Sequence, residues 1–148
     1  MKLKYTTISL NQTKKIGEIL AKEILSSPLK NSAFTIGLEG DLGGGKTTFL
    51  QGFAKGLGIK ERVLSPTFVL MKKFSTSKFR NFYHIDCYRI KNKKEIINLG
   101  FQKIISNPKN IVAIEWVDRI EKIIPQNTIW IIFKFIDKNK REIVIKSK

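Results

Sequence analysis

The chain has 148 residues, enough to bury one core and too few for a second substrate domain, so a single domain covering residues 1–148 is expected. Its 28 Lys and Arg against 12 Asp and Glu give a formal charge of +16, which favours polyanions, yet only five of those residues are Arg and the lysines are scattered among abundant Ile and Asn. The single cysteine, Cys87, excludes an intramolecular disulfide and a multi-cysteine metal site, and is expected as a buried, reduced thiol.

The predicted elements alternate between strand and helix. Residues 3–8 suit a short edge strand, and Ile16, Ile19, Leu20, Glu23 and Ile24 mark a helical stripe that ends near Pro28. The segment 33–39 has strand character. Beyond residue 48, Phe49, Leu50, Phe53, Ala54 and Leu57 fall on one face of a second helix, after which Gly56 and Gly58 break the pattern. Residues 67–74 and 79–86 read as an antiparallel hairpin around the turn at 75–78. A short helix broken at Gly100 follows, then the buried-strand run Ile111, Val112, Ala113, Ile114. Two strands near 128–136 and 141–146, joined by a polar turn, finish the chain. This order predicts an α/β fold: a P-loop NTPase domain with a mixed central β-sheet flanked by helices. No N-terminal stretch resembles a signal peptide, and the apolar run at 129–136 contains Lys134 and is too short to span a bilayer, so a soluble, cytoplasmic protein without a membrane partner is expected.

Between the second strand and second helix lies Gly40, Asp41, Leu42, Gly43, Gly44, Gly45, Lys46, Thr47, Thr48, which satisfies G-x-x-x-x-G-K-[ST] in the strand-loop-helix context the motif requires. The glycines let successive backbone N–H groups turn toward one anion, and the helix start adds its positive end. Lys46 is expected to reach the outer phosphates and the Thr47 hydroxyl to ligate Mg²⁺ bridging two of them. Thr48 is expected in the helix, beside the cradle. The bound group is therefore a nucleoside triphosphate.

A magnesium-nucleotide site also needs carboxylates at the carboxyl edge of the sheet. Two apolar runs end in one: 82–85 leads to Asp86, and 111–114 leads to Glu115. Either suits the Walker B position, with the other placed to orient an attacking water, and the sequence does not divide these roles. His84 shares the strand face of Asp86 and is either a polar neighbour of the site or an ordinary strand residue. Trp116 points away from Glu115 if the strand continues, and into the loop if it has ended. Thr67, after Ser65 and Pro66, is placed where P-loop proteins keep a residue that senses the γ-phosphate, or is simply a residue entering a strand.

Taken together, the loop at 40–48, Ser65-Pro66-Thr67-Phe68, His84-Ile85-Asp86-Cys87-Tyr88-Arg89 and Ile114-Glu115-Trp116 resemble the TsaE (YjeE) family. Thr13 with Ile16-Gly17, and Glu95 with Leu99-Gly100, fall in the same order, so the resemblance covers nearly the whole chain. It implies a cytoplasmic bacterial ATPase that supports N6-threonylcarbamoyladenosine formation at position 37 of tRNAs reading codons that begin with A. The resemblance further implies ATP-dependent docking on a TsaB–TsaD heterodimer and hydrolysis that resets the transferase; tRNA is an indirect partner, and the sequence leaves direct contact with it open. By the same resemblance Lys46 and Thr47 bind phosphate and Mg²⁺, Asp86 and Glu115 serve metal and hydrolysis, Thr67 lies in a switch-like strand entry, and Trp116 matches a tryptophan near the nucleotide. The segment near 10–13 would line the adenine. Gly44 stands where Ala is usual and Val117 where Pro is common. Rival readings are a nucleotide switch that never hydrolyses, a small-molecule kinase, and an RNA-binding protein. The kinase needs Arg clamps, whereas Arg62, Arg80, Arg89, Arg119 and Arg141 are scattered in sequence.

Overall fold

The computed structural model describes residues 1–41, 43–63, 70–76, 78 and 80–147. Seven strands form one sheet: β1 (Lys2–Thr7), β2 (Phe34–Gly40), β3 (Met71–Ser75), β4 (Asn81–Asp86), β5 (Asn110–Glu115), β6 (Ile129–Asp137) and β7 (Lys140–Ser147), in the spatial order β1-β7-β6-β2-β5-β4-β3. The four central strands β6, β2, β5 and β4 run parallel, and antiparallel pairs close both edges. Parallel alignment gathers the carboxyl ends of β2, β4 and β5 on one rim, where Asp86 and Glu115 lie side by side and β2 runs two residues further, to Gly40. That rim is where open α/β sheets bind ligands.

Strand character follows position. Every residue of β5 is buried, as a parallel strand covered on both faces must be, and its side chains divide by parity. Ile111 and Ala113 pack with Phe49, Phe53, Phe82 and Phe133 on one face, while Val112 and Ile114 pack with Ile85, Ile96, Phe101 and Trp130 on the other. The first layer is covered by α1 (Leu10–Ser26) and α2 (Lys46–Gly56); the second by α3 (Lys94–Ile97), α4 (Phe101–Ser106) and a 3-10 helix (Val117–Ile123). Strand β1, which lies at an edge and carries Lys2 and Lys4, stays exposed except for Thr7. Among the described residues no helix is long and apolar enough to cross a membrane.

The predicted elements recur with three differences. The hairpin strands begin at Met71 and Asn81 rather than at 67 and 79; residues 64–69 and 79 lie outside the described ones. The 3-10 helix has no counterpart in the sequence reading, because nothing in its composition separates it from a loop. In α1 the buried positions are Thr13, Gly17, Ala21 and Ile24, whereas Ile19, assigned to the apolar stripe, is 52% exposed. Small residues face inward because α1 and α2 nearly touch. A Cβ on Gly17 would stand 2.2 Å from the Phe49 carbonyl oxygen, one on Gly52 1.9 Å from that of Lys14, and one on Gly56 2.5 Å from that of Glu18. As expected, α2 ends at Gly56, which is also a contact residue, and Gly58, at φ 78°, ends the turn.

On an exposed helix face Gly→Ala stabilises by about 1 kcal/mol, but at Gly52 the added methyl meets backbone that cannot move aside. We expect Gly52→Ala to lower unfolding stability by about 1–3 kcal/mol in denaturant titrations. A variant as stable as the parent would contradict this helix contact.

Candidate functional site

The loop between β2 and α2 is built by backbone geometry that L side chains avoid. Gly40, Gly43 and Gly45 have φ of 139°, 76° and 105°. Gly44 N–H donates to the Asp41 carbonyl at 3.0 Å, which closes the turn, and a Cβ at Gly44 would stand at that same distance from the Asp41 oxygen and 3.2 Å from the Phe133 Cβ. Glycine here therefore suits the tight loop. Gly45 caps α2 and offers no side-chain acceptor, so the first turn of α2 presents N–H groups at the rim, the arrangement that binds anions. Lys46 is 6% exposed. Its Nζ donates to the carbonyl oxygens of Gly40 at 2.6 Å and Asp41 at 2.9 Å, so the ammonium lies folded across its own loop. Burial lowers its pKa, against the opposing pull of Glu115, Asp41, Asp118 and Asp86.

The two acids stand next to each other because Asp86 and Glu115 are register partners on β4 and β5. Glu115 is 3% exposed, and its Oε2 lies 2.7 Å from His84 Nε2. Asp86 is half-buried, and its Oδ1 accepts the Tyr88 N–H at 2.9 Å. Burial raises the Asp86 pKa, the Tyr88 hydrogen bond lowers it, and the neighbouring Glu115 charge raises it again. Strand β5 ends at Glu115, and Trp116 turns into the loop with φ 57°, the one non-glycine residue at positive φ among those described. That conformation is strained, and it lays the indole against the site. The Lys46 Nζ lies 4.5 Å from the Trp116 ring centroid, Tyr88 packs at 5.0 Å, and the Arg119 guanidinium lies over both rings at 5.5 and 5.6 Å. Cys87, by contrast, is a free, buried thiol whose pKa burial pushes up to about 12, so it is chemically quiet.

These groups open onto a cleft of about 670 Å³, a volume suited to a nucleotide. One wall is the β1-α1 junction, where Thr7 and Thr13 join their hydroxyls at 2.8 Å. Ser9 caps α1 by accepting the Gln12 N–H at 3.1 Å, while Gln12 Oε1 accepts from Ile8 N–H at 2.8 Å. Gln12 thus reaches past the cap to the amide of Ile8, a variant of the capping box displaced by one residue. Next to this wall, through the register pair of Thr7 with Arg141, stands the β6-β7 hairpin with Lys138, Asn139 and Arg141. Arg141 Nε donates to the Gly43 carbonyl at 2.8 Å, and its guanidinium lies 4.5 Å from the Phe135 ring centroid.

The comparisons with known proteins agree on one relationship. The family model described as threonylcarbamoyl adenosine biosynthesis protein TsaE matches residues 7–143. The chain belongs to the TsaE family. Among its relatives is a protein of Bacillus subtilis (strain 168) named tRNA threonylcarbamoyladenosine biosynthesis protein TsaE, 36% identical over 95% of this chain and 83% of that one. A protein of the same name from Rickettsia prowazekii (strain Madrid E) is 35% identical over 93% of this chain and 90% of its own length. The crystal structure of Bacillus subtilis YdiB superposes with a TM-score of 0.72 at 29% identity, covering 99% of this chain and 86% of that one. Family and fold make this a nucleotide-binding protein of the P-loop class.

In this TsaE-family chain the structure brings Asp41, Gly43, Gly44, Gly45, Lys46, Thr47, Asp86, Glu115 and Trp116 to one rim, with Thr48 in α2 but still lining the cleft. Leu42 and Thr67 lie outside the described residues. His84 is a neighbour of the site rather than an ordinary strand residue, and Trp116 takes the loop alternative. Arg141 is the residue that sequence reasoning missed, since 98 positions separate it from Gly43 and only the β6-β7 register brings it there.

Arg141→Ala should weaken nucleotide binding by about tenfold in a calorimetric titration while leaving the fold intact, because the Gly43 peptide loses its outer anchor. Unchanged affinity would remove Arg141 from the site. A second expectation concerns charge. For Asp86, the raised pKa means that the fold favours the protonated acid. That contribution is complete below the ordinary value of 3.8 and is lost as pH rises through the folded value. Asp86→Asn should therefore stabilise the nucleotide-free protein at neutral pH, with the gain disappearing at about pH 3. A variant less stable than the parent at neutral pH would contradict it.

Proposed function

We propose that this chain is an ATPase of tRNA threonylcarbamoyladenosine biosynthesis, acting in the cytoplasm as an accessory to a transferase rather than as the transferase itself. The observation that carries the reading is the pairing of Asp86 with Glu115 at the strand ends, beside a lysine-bearing phosphate loop. A loop alone would bind phosphate; two carboxylates at its edge add what hydrolysis requires.

The residues fit a magnesium nucleotide. The Thr47 hydroxyl and the Asp86 and Glu115 carboxylates line one cleft as hard oxygen donors, and Asp86 carries a desolvation cost that a cation would relieve. Thr47 and Asp86 would hold it, and when bound it would neutralise phosphate charge. Lys46 exchanges the Gly40 and Asp41 carbonyls for the outer phosphates, and the helix N–H groups hold the transferring group in place. Glu115 orients the attacking water and accepts its proton. Trp116, strained and in contact with Lys46, covers the phosphate end of the cleft.

The names of the relatives support a role in the tRNA modification, and a TsaB–TsaD heterodimer is the proposed partner, with tRNA reached through it. Docking completes a site that is slow alone, so hydrolysis is coupled to the partner's cycle.

The test is Mg²⁺-dependent phosphate release from ATP, by the chain alone and with the purified heterodimer. We expect slow release alone, a rise with the partner, and no rise with Lys46→Ala. Glu115→Ala should lose about 100-fold in turnover with nucleotide affinity nearly unchanged. Tight ATP binding and complex formation without any release would favour the non-hydrolysing switch instead.

A further inference from the structure

The chain contains one histidine, His84, and the fold places it in an unusual position. Its side chain is 2% exposed, and Nε2 lies 2.7 Å from Glu115 Oε2, whose side chain is 4% exposed. The ring fits because its register partner on β5 is Ala113, two residues before Glu115, and because Phe82 stacks beside it at 6.5 Å with an interplanar angle of 10°. The other ring nitrogen, Nδ1, is buried and has no hydrogen-bond partner among the described residues.

That pattern fixes the hydrogen-bond roles. A carboxylate at hydrogen-bond distance accepts, so Nε2 is the donor. A proton on Nδ1 would leave a buried N–H without an acceptor, which is costly, whereas an unprotonated ring nitrogen leaves only a weak acceptor unused. The hydrogen bond engages Oε2 and restrains the carboxyl plane, which distinguishes the two carboxylate oxygens from each other. Without the imidazole, Glu115 would rotate about its terminal torsion, a broad two-fold well that packing alone defines poorly.

We propose that His84 is a positioning residue that sets the Glu115 carboxylate by donating from Nε2, so that one defined oxygen takes the water's proton. This role rests on the hydrolytic reading given above. His84 touches neither nucleotide nor water in this account; it acts through Glu115. A misplacement of 1 Å at such a group costs about 100-fold in rate, which sets the scale of the effect.

The experiment compares two substitutions in the full chain with its partner heterodimer. His84→Phe keeps ring volume against Phe82 and removes the donor; His84→Gln keeps an N–H donor at a similar reach. We expect the Phe variant to lose at least about tenfold in kcat with KM for ATP changed less than about twofold, and the Gln variant to recover most of the loss. A Phe variant that turns over like the parent overturns this role and leaves the hydrolytic reading standing. A parent that never releases phosphate overturns both. Should the Phe variant fail to fold, nitrogen-15 spectra of the sole histidine in the parent decide the same point. A protonated Nε2 and bare Nδ1 are expected, with the Nε2 proton signal displaced by Glu115→Ala, and the opposite tautomer overturns the proposal.

Discussion

Three charges are brought together out of water at the rim of the sheet, and the rest of the site follows from that constraint. Lys46 and Glu115 are nearly inaccessible, Asp86 is half-buried, and each would be costly to bury alone. The fold offsets part of the cost through the loop carbonyls on Lys46, the imidazole on Glu115 and the Tyr88 amide on Asp86. It does not remove all of it, since burial still lowers the Lys46 pKa and raises that of Asp86. A polyphosphate with its cation supplies what is missing: negative charge for the lysine and loop N–H groups, positive charge for the acid. Binding affinity and the instability of the empty site thus have a common origin.

The scaffold holds these charges because it is rigid where they attach. Parallel pairing of β2 with β5 and of β5 with β4 sets Leu38, Glu115 and Asp86 in register, and pairing of β2 with β6 holds Gly40 beside Phe133, so neither acid nor the start of the loop can shift without breaking a buried ladder. The glycine contact between α1 and α2 fixes the helix that carries Lys46 and Thr47, and it orients the capped start of α1 that forms one cleft wall. Beside that wall, Arg141 joins the β6-β7 hairpin to Gly43. Parts far apart in the chain therefore meet on one short loop.

Most of this architecture was legible in the sequence because local patterns carried it. The loop motif names its own residues, and the apolar runs ending in Asp86 and Glu115 read as strands with acids at their tips. The break at Gly100 corresponds to a left-handed residue between α3 and α4. What escaped depends on tertiary approach. Gly17, Gly52 and Gly56 look like weak points in helices until the helices are seen to touch, and Ile19 looks buried until they do. Arg141 carries no motif, and His84 could be assigned no partner until register set its ring beside Glu115.

The central claim is that the loop at 40–48 binds nucleotide phosphate through Lys46, which leaves its own carbonyls to do so. The most direct test is a calorimetric titration of the parent and of Lys46→Ala with ATP, each with and without Mg²⁺. The account predicts saturable binding of about one nucleotide per chain, strengthened by Mg²⁺ and weakened at least about tenfold by the substitution. Equal affinity in parent and variant would contradict it.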